Sequence, residues 1–257
     1  MPRISPLFAC ILLAVPGKAY ARDCSRLFPG GQPPTIGAQQ PGRQTEICFT
    51  AFAALVSGVA RDPIWSAEHL TARYARRSPH TPRAGSFHPE QRLPAGDRAY
   101  PSDYDHGWDR GHMAPAGDIA SRRAKDDTFS MANVVPQTPA LNRGVWEGIE
   151  SAVRRLAERD GELYIVTGPW LRPSDGWTKN GRVRIPSATW KAIYDPSAGR
   201  SGAWICTNTM SPDCRSVSIA VLSHLVGVDP FPALSSTEAA TAPDLPTPEP
   251  SRYWPPR

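Results

Sequence analysis

The stretch Asp105-His106-Gly107-Trp108-Asp109-Arg110-Gly111-His112-Met113-Ala114-Pro115 packs two histidines, two acids and an arginine between glycines and a proline. Polar density of this kind, punctuated by glycine and proline, is loop chemistry and calls for a purpose beyond packing. A second cluster follows at Asn133-Val134-Val135-Pro136-Gln137, then Asn142, Arg143, Gly144, Trp146 and Glu150. Thr138-Pro139 stands between its two halves as a helix start, with threonine as N-cap and proline in the first turn. The helix so begun runs to about residue 159. Projected at about 100° per residue from Asn142, residues Val145, Trp146, Ile149, Val153, Leu156 and Ala157 fall within about 60° of one direction, so Asn142 is expected inside an apolar stripe and Glu150 at its edge.

Outward from this centre, the run 47–57 is apolar and aromatic, and Pro63-Ile64-Trp65-Ser66-Ala67-Glu68-His69-Leu70-Thr71-Ala72-Arg73-Tyr74 mixes β-formers with charge; two strands are expected there. The segment 78–103 is a long loop ahead of the central motif. Further strands are expected at 162–168, 182–186, 189–195 and 202–207, and a last helix at 217–226. Six of the 23 residues from 235 to 257 are proline and few are apolar, so a disordered tail is expected. With no internal repeat, the pattern describes one α+β domain over residues 22–234.

The chain has 257 residues, 40% hydrophobic and 21% charged, with 29 prolines against a usual share of about 5%. A wholly disordered chain, a collagen and a coiled coil are thereby excluded. Residues 7–15 are apolar, follow Arg3 and precede Ala19-Tyr20-Ala21, the small-x-small pattern of a signal peptidase site. Residues 1–21 are read as a cleaved secretory leader, and the mature protein as secreted or periplasmic. The leader takes Arg3 and Lys18 and no acid with it, so the net charge falls from +5 to +3. Four cysteines remain, Cys24, Cys48, Cys206 and Cys214, an even number in an exported chain. The pairs Cys24–Cys48 and Cys206–Cys214 are favoured because each closes a local loop. There is no C-x-x-C, G-x-S-x-G or H-E-x-x-H, which leaves zinc ribbons, thioredoxins, serine hydrolases and zincins without support.

The residue types in the two clusters suit phosphodiester hydrolysis. An amide oxygen with a nearby carboxylate suits a hard, water-rich cation such as Mg²⁺, with Mn²⁺ as its substitute. A histidine opposite takes a proton from the attacking water, the cation offsets charge on the phosphate, and arginine holds the phosphate. One general base supplies only about 10²–10⁴-fold, too little for so inert an ester, so the cation is required. Asp109 is read as fixing the loop.

Asp109-Arg110-Gly111-His112-Met113-Ala114-Pro115, then Asn133-x-x-Pro136-Gln137, then Leu141-Asn142-x-Gly144-x-Trp146-x-x-Glu150, in this order and spacing, resemble the DNA/RNA non-specific endonucleases, the ββα-metal or His-Me finger nucleases that include endonuclease G. The likeness extends to Pro63-x-Trp65-x-Ala67-Glu68, Tyr164-x-Val166-x-Gly168-Pro169, Ile185-Pro186-x-x-x-Trp190-Lys191 and Gly227-x-x-Pro230-Phe231-Pro232. The resemblance implies an α+β fold with a mixed, mostly antiparallel central sheet flanked by helices, and a ββα finger at the metal. It implies His112 as general base, Asn142 as the direct protein ligand of Mg²⁺ and Glu150 as orienting metal-bound water. Asn133 is implied to help position the site and is grouped with the catalytic residues, and Arg110 to bind phosphate. It further implies cleavage of DNA and RNA to 5′-phosphorylated ends. The family's upstream phosphate-binding arginine has three candidates here, Arg83, Arg92 and Arg98, of which Arg83 is carried forward.

Contacts to phosphate rather than base edges suffice for a substrate track without sequence preference. Basic clusters stand at Arg73, Arg76, Arg77 and Arg83, at Arg122, Arg123 and Lys125, and at Arg154, Arg155 and Arg159; the first leads into the central loop. DNA and RNA are the partners expected, with no stable membrane association and with a homodimer left open. Competing readings are a non-catalytic exported nucleic-acid-binding or uptake module, which needs neither His112 nor Asn142, and a phosphodiesterase for small substrates.

Overall fold

Strands 162–170, 188–195 and 200–207 are buried at almost every position because both faces of the sheet they build are covered. The computed structural model describes residues 23–40, 42–82, 85–104 and 107–251. The expected leader at 1–21, Arg83, Asp105, His106 and the last six residues of the expected tail lie outside them. In chain order the strands are β1 (Thr35–Ile36), β2 (Gln44–Cys48), β3 (Phe52–Ser57), β4 (Asp62–Thr71), β5 (Asp109–His112), β6 (Val134–Gln137), β7 (Glu162–Trp170), β8 (Ala188–Asp195), β9 (Arg200–Thr207), β10 (Cys214–Val217) and β11 (Val228–Asp229). The α-helices are α1 (Ala72–Arg77), α2 (Arg122–Asp127), α3 (Glu147–Asp160), α4 (Ile219–Val226) and α5 (Ser236–Ala240).

Seven strands form one sheet in the order β10-β9-β8-β7-β4-β3-β2, every neighbouring pair antiparallel. Side chains alternate across it with period 2. Val166, Ala192 and Ala203 face α4, where Leu222 and Val226 join Phe28, Trp65 and Trp190. Ile165, Ile193 and Trp204 face the opposite side and pack on Ile149, Val153 and Leu156 of α3. Each such large apolar side chain contributes roughly 1.5–3 kcal/mol on burial, which seats α3 firmly on the sheet. The sequence expectation of an α+β fold with a mostly antiparallel sheet and flanking helices holds, and the sheet is antiparallel throughout where a mixed one was expected.

Outside the large sheet, β5 and β6 pair with each other, and β1 pairs with β11. Thr138 starts the helical segment as expected, its hydroxyl accepting from Leu141 N at 3.2 Å. The first turn is not α-helical. Residues Leu141–Trp146 form a π-helical turn in which Gly144 takes φ −94° and ψ −109°, and the regular α3 begins only at Glu147. Both favoured disulfides are formed, Cys24–Cys48 and Cys206–Cys214, the second between residues directly opposite in β9 and β10.

Several elements differ from the sequence reading. The run 47–57 is not one strand: it turns at 49–51, where Phe49 N donates to Phe52 O at 2.8 Å, and contributes to β2 and β3. The segment 63–74 leaves the sheet at Thr71, whose side chain caps α1. Residues 182–186 make a single bridge, Trp177 with Arg184, instead of a strand. Strand β10, absent from the reading, is recruited by its partner β9. The expected disordered tail runs along the body through Ser251: Trp204 Nε1 donates to Pro246 O at 3.0 Å and Ser251 N to Gly144 O at 2.9 Å.

Candidate active site

In the β5–β6 pair, Arg110 stands opposite Pro136 and His112 opposite Val134. Alternation puts Arg110 and His112 on one face and Asp109 and Gly111 on the other. A Cβ on Gly111 would collide with the side chain of Gln137, whose Nε2 donates to Thr189 Oγ1 at 3.1 Å; only glycine lets the hairpin lie this close to the sheet. Arg110 and His112 face a cleft of about 800 Å³, whose opposite wall carries Asn142, Glu147 and Glu150. The Phe87 ring lies against both, 4.8 Å from the Arg110 guanidinium carbon and 5.3 Å from the imidazole centre. Phe129 meets the imidazole edge-on at 5.2 Å. The imidazole plane is thus set by two aromatic neighbours.

Asn142 is held by an unexpected partner. Its Nδ2 donates to Asp109 Oδ2 at 3.0 Å. A carboxylate only accepts, so the amide nitrogen must face Asp109, and the amide oxygen is left for the cleft. Asp109 is itself gripped by Arg143, whose Nε donates at 2.7 Å and whose terminal nitrogen donates at 2.5 Å. Burial acts to raise the Asp109 pKa, but the hydrogen bonds from Arg143 and Asn142 outweigh it and hold the carboxyl below its usual range. The π turn inserts an extra residue and breaks the helical phase between Asn142 and α3. This corrects the apolar-stripe expectation: Leu141 and Trp146 enter the core, while Asn142 is half-buried and turned to the cleft.

Glu150 has its pKa raised to about 7 by burial, with Lys191 and Arg154 pulling it down and Asp118 and Glu147 adding to the rise. Below it lies a buried charged layer. Lys191 is 1% exposed and its Nζ donates to Thr167 Oγ1 at 2.7 Å and Met113 O at 3.3 Å, the latter next to His112 in the chain. Arg154 donates to Asp118 at 3.0 Å. Glu68 is buried, and its pKa is raised well above the usual value by burial and by Asp118, against Lys191.

Into this cleft the Asn142 amide oxygen and the carboxyls of Glu147 and Glu150 present oxygen donors. Among the described residues no three His, Cys, Asp or Glu side chains converge to form a protein-built cage. The donors therefore fit a hard cation that keeps most of its water, held by one amide oxygen, better than a fully ligated metal.

These observations can be set beside known proteins. Residues 30–237 match the DNA/RNA non-specific endonuclease family. The chain belongs to that family. A protein of Nostoc sp. (strain PCC 7120) named Nuclease is 37% identical over 168 residues, covering 57% of this chain and 60% of that one. The mitochondrial nuclease EXOG of Danio rerio is 32% identical over 225 residues, 79% of this chain and 65% of that one. The chain thus spans less than two thirds of the length of these relatives. Among solved structures, EndoG in its complex with EndoGI aligns with a TM-score of 0.66 at 25% identity, covering 76% of this chain and 89% of that one.

Of the residues singled out in the sequence, Arg110, His112, Asn142 and Glu150 share the family domain's cleft. Asn133 does not face it, which corrects its grouping with the catalytic residues. It is fully buried, with Oδ1 accepting from Ser66 Oγ and Ala114 N, each at 2.9 Å, and Nδ2 donating to Ala114 O and Thr128 O at 2.9 and 3.0 Å. It locks the loop just after His112, a positioning role. Arg92 is bound to Glu90 and Arg98 to Leu93 O and Gln91, and neither lines the cleft. Arg154 and Lys125 are anchored inside, Lys125 by Ser78 O and Thr81 O, whereas Arg73, Arg76, Arg77, Arg122 and Arg123 are exposed. Among the described residues no helix is long and apolar enough to cross a membrane.

The sequence reading missed Asp109 as the clamp on Asn142, and the buried Glu68, Asp118 and Lys191. A lysine inside the otherwise apolar strand 188–193 was the available signal, since lysine is almost never buried without a partner.

Proposed function

We propose that this chain is an exported endonuclease that hydrolyses phosphodiester bonds of DNA and RNA to 5′-phosphorylated products, dependent on Mg²⁺ or Mn²⁺, with residues 1–21 as its leader and 22–234 as its catalytic domain. The observation that carries the reading is the convergence of His112, Arg110, Asn142 and Glu150 in one cleft, with Asp109 turning the amide oxygen of Asn142 into it. The two disulfides support an oxidising compartment.

His112 acts as general base, taking the proton of the attacking water at an imidazole nitrogen while Phe87 and Phe129 hold the ring plane. Arg110 binds the phosphate; its guanidinium is partly desolvated against Phe87, which strengthens its pull on an anion. Arg83, upstream of the Asp109–His112 motif in the sequence, is assigned to phosphate binding with it. Asn142 would hold the cation through its amide oxygen, and Glu150, on the same cleft, would orient water there. The bound cation supplies charge stabilisation of the phosphate and the leaving oxygen. Base identity is not read, because the groups named address phosphate alone.

The test is supercoiled plasmid and RNA incubated with purified protein in Mg²⁺ or EDTA, beside His112→Ala. Cleavage of both by wild type, abolished by EDTA and reduced about 10²–10⁴-fold in the variant, is expected. Equal degradation by the variant removes the assigned base. Salt-sensitive binding without any cleavage by wild type returns the non-catalytic binding module.

A further inference from the structure

Residues 241–251 lie beyond the family match at 30–237, yet they cross the domain and end in its cleft, where Ser251 is one of the lining residues. Two glycines make the path. A Cβ on Gly202 of β9 would crowd Pro243 and Leu245 at 2.7 and 3.1 Å, and a Cβ on Gly148 of α3 would collide with the carbonyl oxygen of Glu249. Between these points Trp204 Nε1 holds Pro246 O, and Leu245 packs on the core that contains Leu141 and Trp146. At the end, Ser251 N donates to Gly144 O at 2.9 Å, sharing that carbonyl with Glu147 N.

Gly144 is the non-helical residue of the π turn that carries Asn142 and Arg143, and Arg143 in turn grips Asp109. A single turn with broken helical hydrogen bonding is a pliable place to mount a ligand. The segment touches the turn at Gly144 and the start of α3 just beyond it at Gly148. Pro243, Pro246, Pro248 and Pro250 restrict the segment's backbone before it docks, which lowers the entropy lost on ordering it.

We propose that residues 241–251 form a strap that positions the π turn and thereby the cation-holding amide of Asn142, a function additional to the family's domain. Gly148, Glu249 and Ser251 are positioning residues in this device; none of them acts on substrate. The cation arm of the proposal rests on the reading of Asn142 given above, whereas the ordering of the turn does not.

Gly148→Ala isolates the effect, because alanine is the better helix former and the atoms nearest the added methyl group belong to Glu249 and Pro250 of the strap. A chain ending at Thr241 is the second variant. Hydrogen exchange of amides 141–147, limited proteolysis of the strap, and calorimetric titration with Mg²⁺ are measured on wild type and both variants without nucleic acid. The expected result is rapid cleavage of the strap in Gly148→Ala, exchange at 141–147 faster by about tenfold in both variants, and Mg²⁺ binding weaker by about tenfold. Combining the two changes adds nothing further. Unchanged exchange at 141–147 in folded Gly148→Ala overturns the proposal, as does a strap that stays protected in that variant. If the shortened chain does not fold, Gly148→Ala alone decides. Faster exchange with unchanged Mg²⁺ affinity refutes the cation arm, and wild type that fails to cut nucleic acid refutes the nuclease reading while leaving the ordering measurement intact.

Discussion

Replacing Asp109 by asparagine keeps the shape of the clamp on Asn142 and removes its charge. The carboxylate now accepts three hydrogen bonds, one from Asn142 and two from Arg143. An amide has one accepting oxygen, so Asp109→Asn must present its NH2 either to the Asn142 NH2 or to the Arg143 guanidinium, donor against donor. The Arg143 side chain is 57% exposed, so water replaces much of its share and about 0.2–1 kcal/mol is lost there. The Asn142 bond is half-buried and charge-assisted, worth about 1.5–3 kcal/mol in fixing which end of the amide faces the cleft. Losing about 1.4 kcal/mol of that preference corresponds to a tenfold weaker hold on the cation. Titration calorimetry with Mg²⁺, and the Mg²⁺ dependence of plasmid nicking, should both shift by about this factor, with the melting temperature lowered by only a few degrees. Turnover at saturating Mg²⁺ should recover to nearly that of wild type. Unchanged cation affinity in a folded Asp109→Asn protein would falsify the clamp; a turnover loss that no Mg²⁺ concentration restores would move Asp109 from positioning to chemistry.

Asn133→Ala deletes four buried hydrogen bonds and strands their partners, and a loss of about 3–4 kcal/mol in urea unfolding is expected; a loss below about 1 kcal/mol contradicts the structural role. Glu150 predicts a pH dependence in metal-free protein. Its folded pKa of about 7 lies above the ordinary glutamate value of 4.5, so its contribution is fully present below the unfolded pKa and is lost as pH rises through 7. Glu150→Gln should therefore gain stability relative to wild type between pH 5 and pH 8, by at most about 3 kcal/mol, and a flat difference across that range refutes the buried-carboxyl account. Lys191→Met leaves Arg154 as the remaining counter-charge to Glu68 and Glu150, and thermal denaturation in EDTA should show a loss of about 3–5 kcal/mol, smaller at pH 5, where both carboxyls carry protons, than at pH 8.

The strands 162–170, 188–195 and 200–207, the helix entered at Thr138-Pro139 and the two disulfide loops were legible in the sequence because each is signalled within a few residues of itself. The Asp109–His112 motif and Asn142 were legible for a different reason: their residue types have few purposes together. Asp109 as the partner of Asn142 was not legible, since the two meet across 33 residues only after β5 pairs with β6 and the π turn changes the helical phase. Where Asn133 does its positioning was not legible, because an amide near a motif looks alike whether it faces a cleft or fills the core.

By itself, then, the chain's order of residues determined the α+β class, the main strands and helix, and the four groups that meet in the cleft, because periodicity, capping and side-chain chemistry are local properties. Tertiary structure alone decided which way the Asn142 amide points, that the charge of buried Lys191 acts on both Glu68 and Glu150, and that a proline-rich end lies along Gly202 and Gly148. Those outcomes depend on which distant surfaces come within hydrogen-bonding and van der Waals reach, and no window of sequence contains that distance.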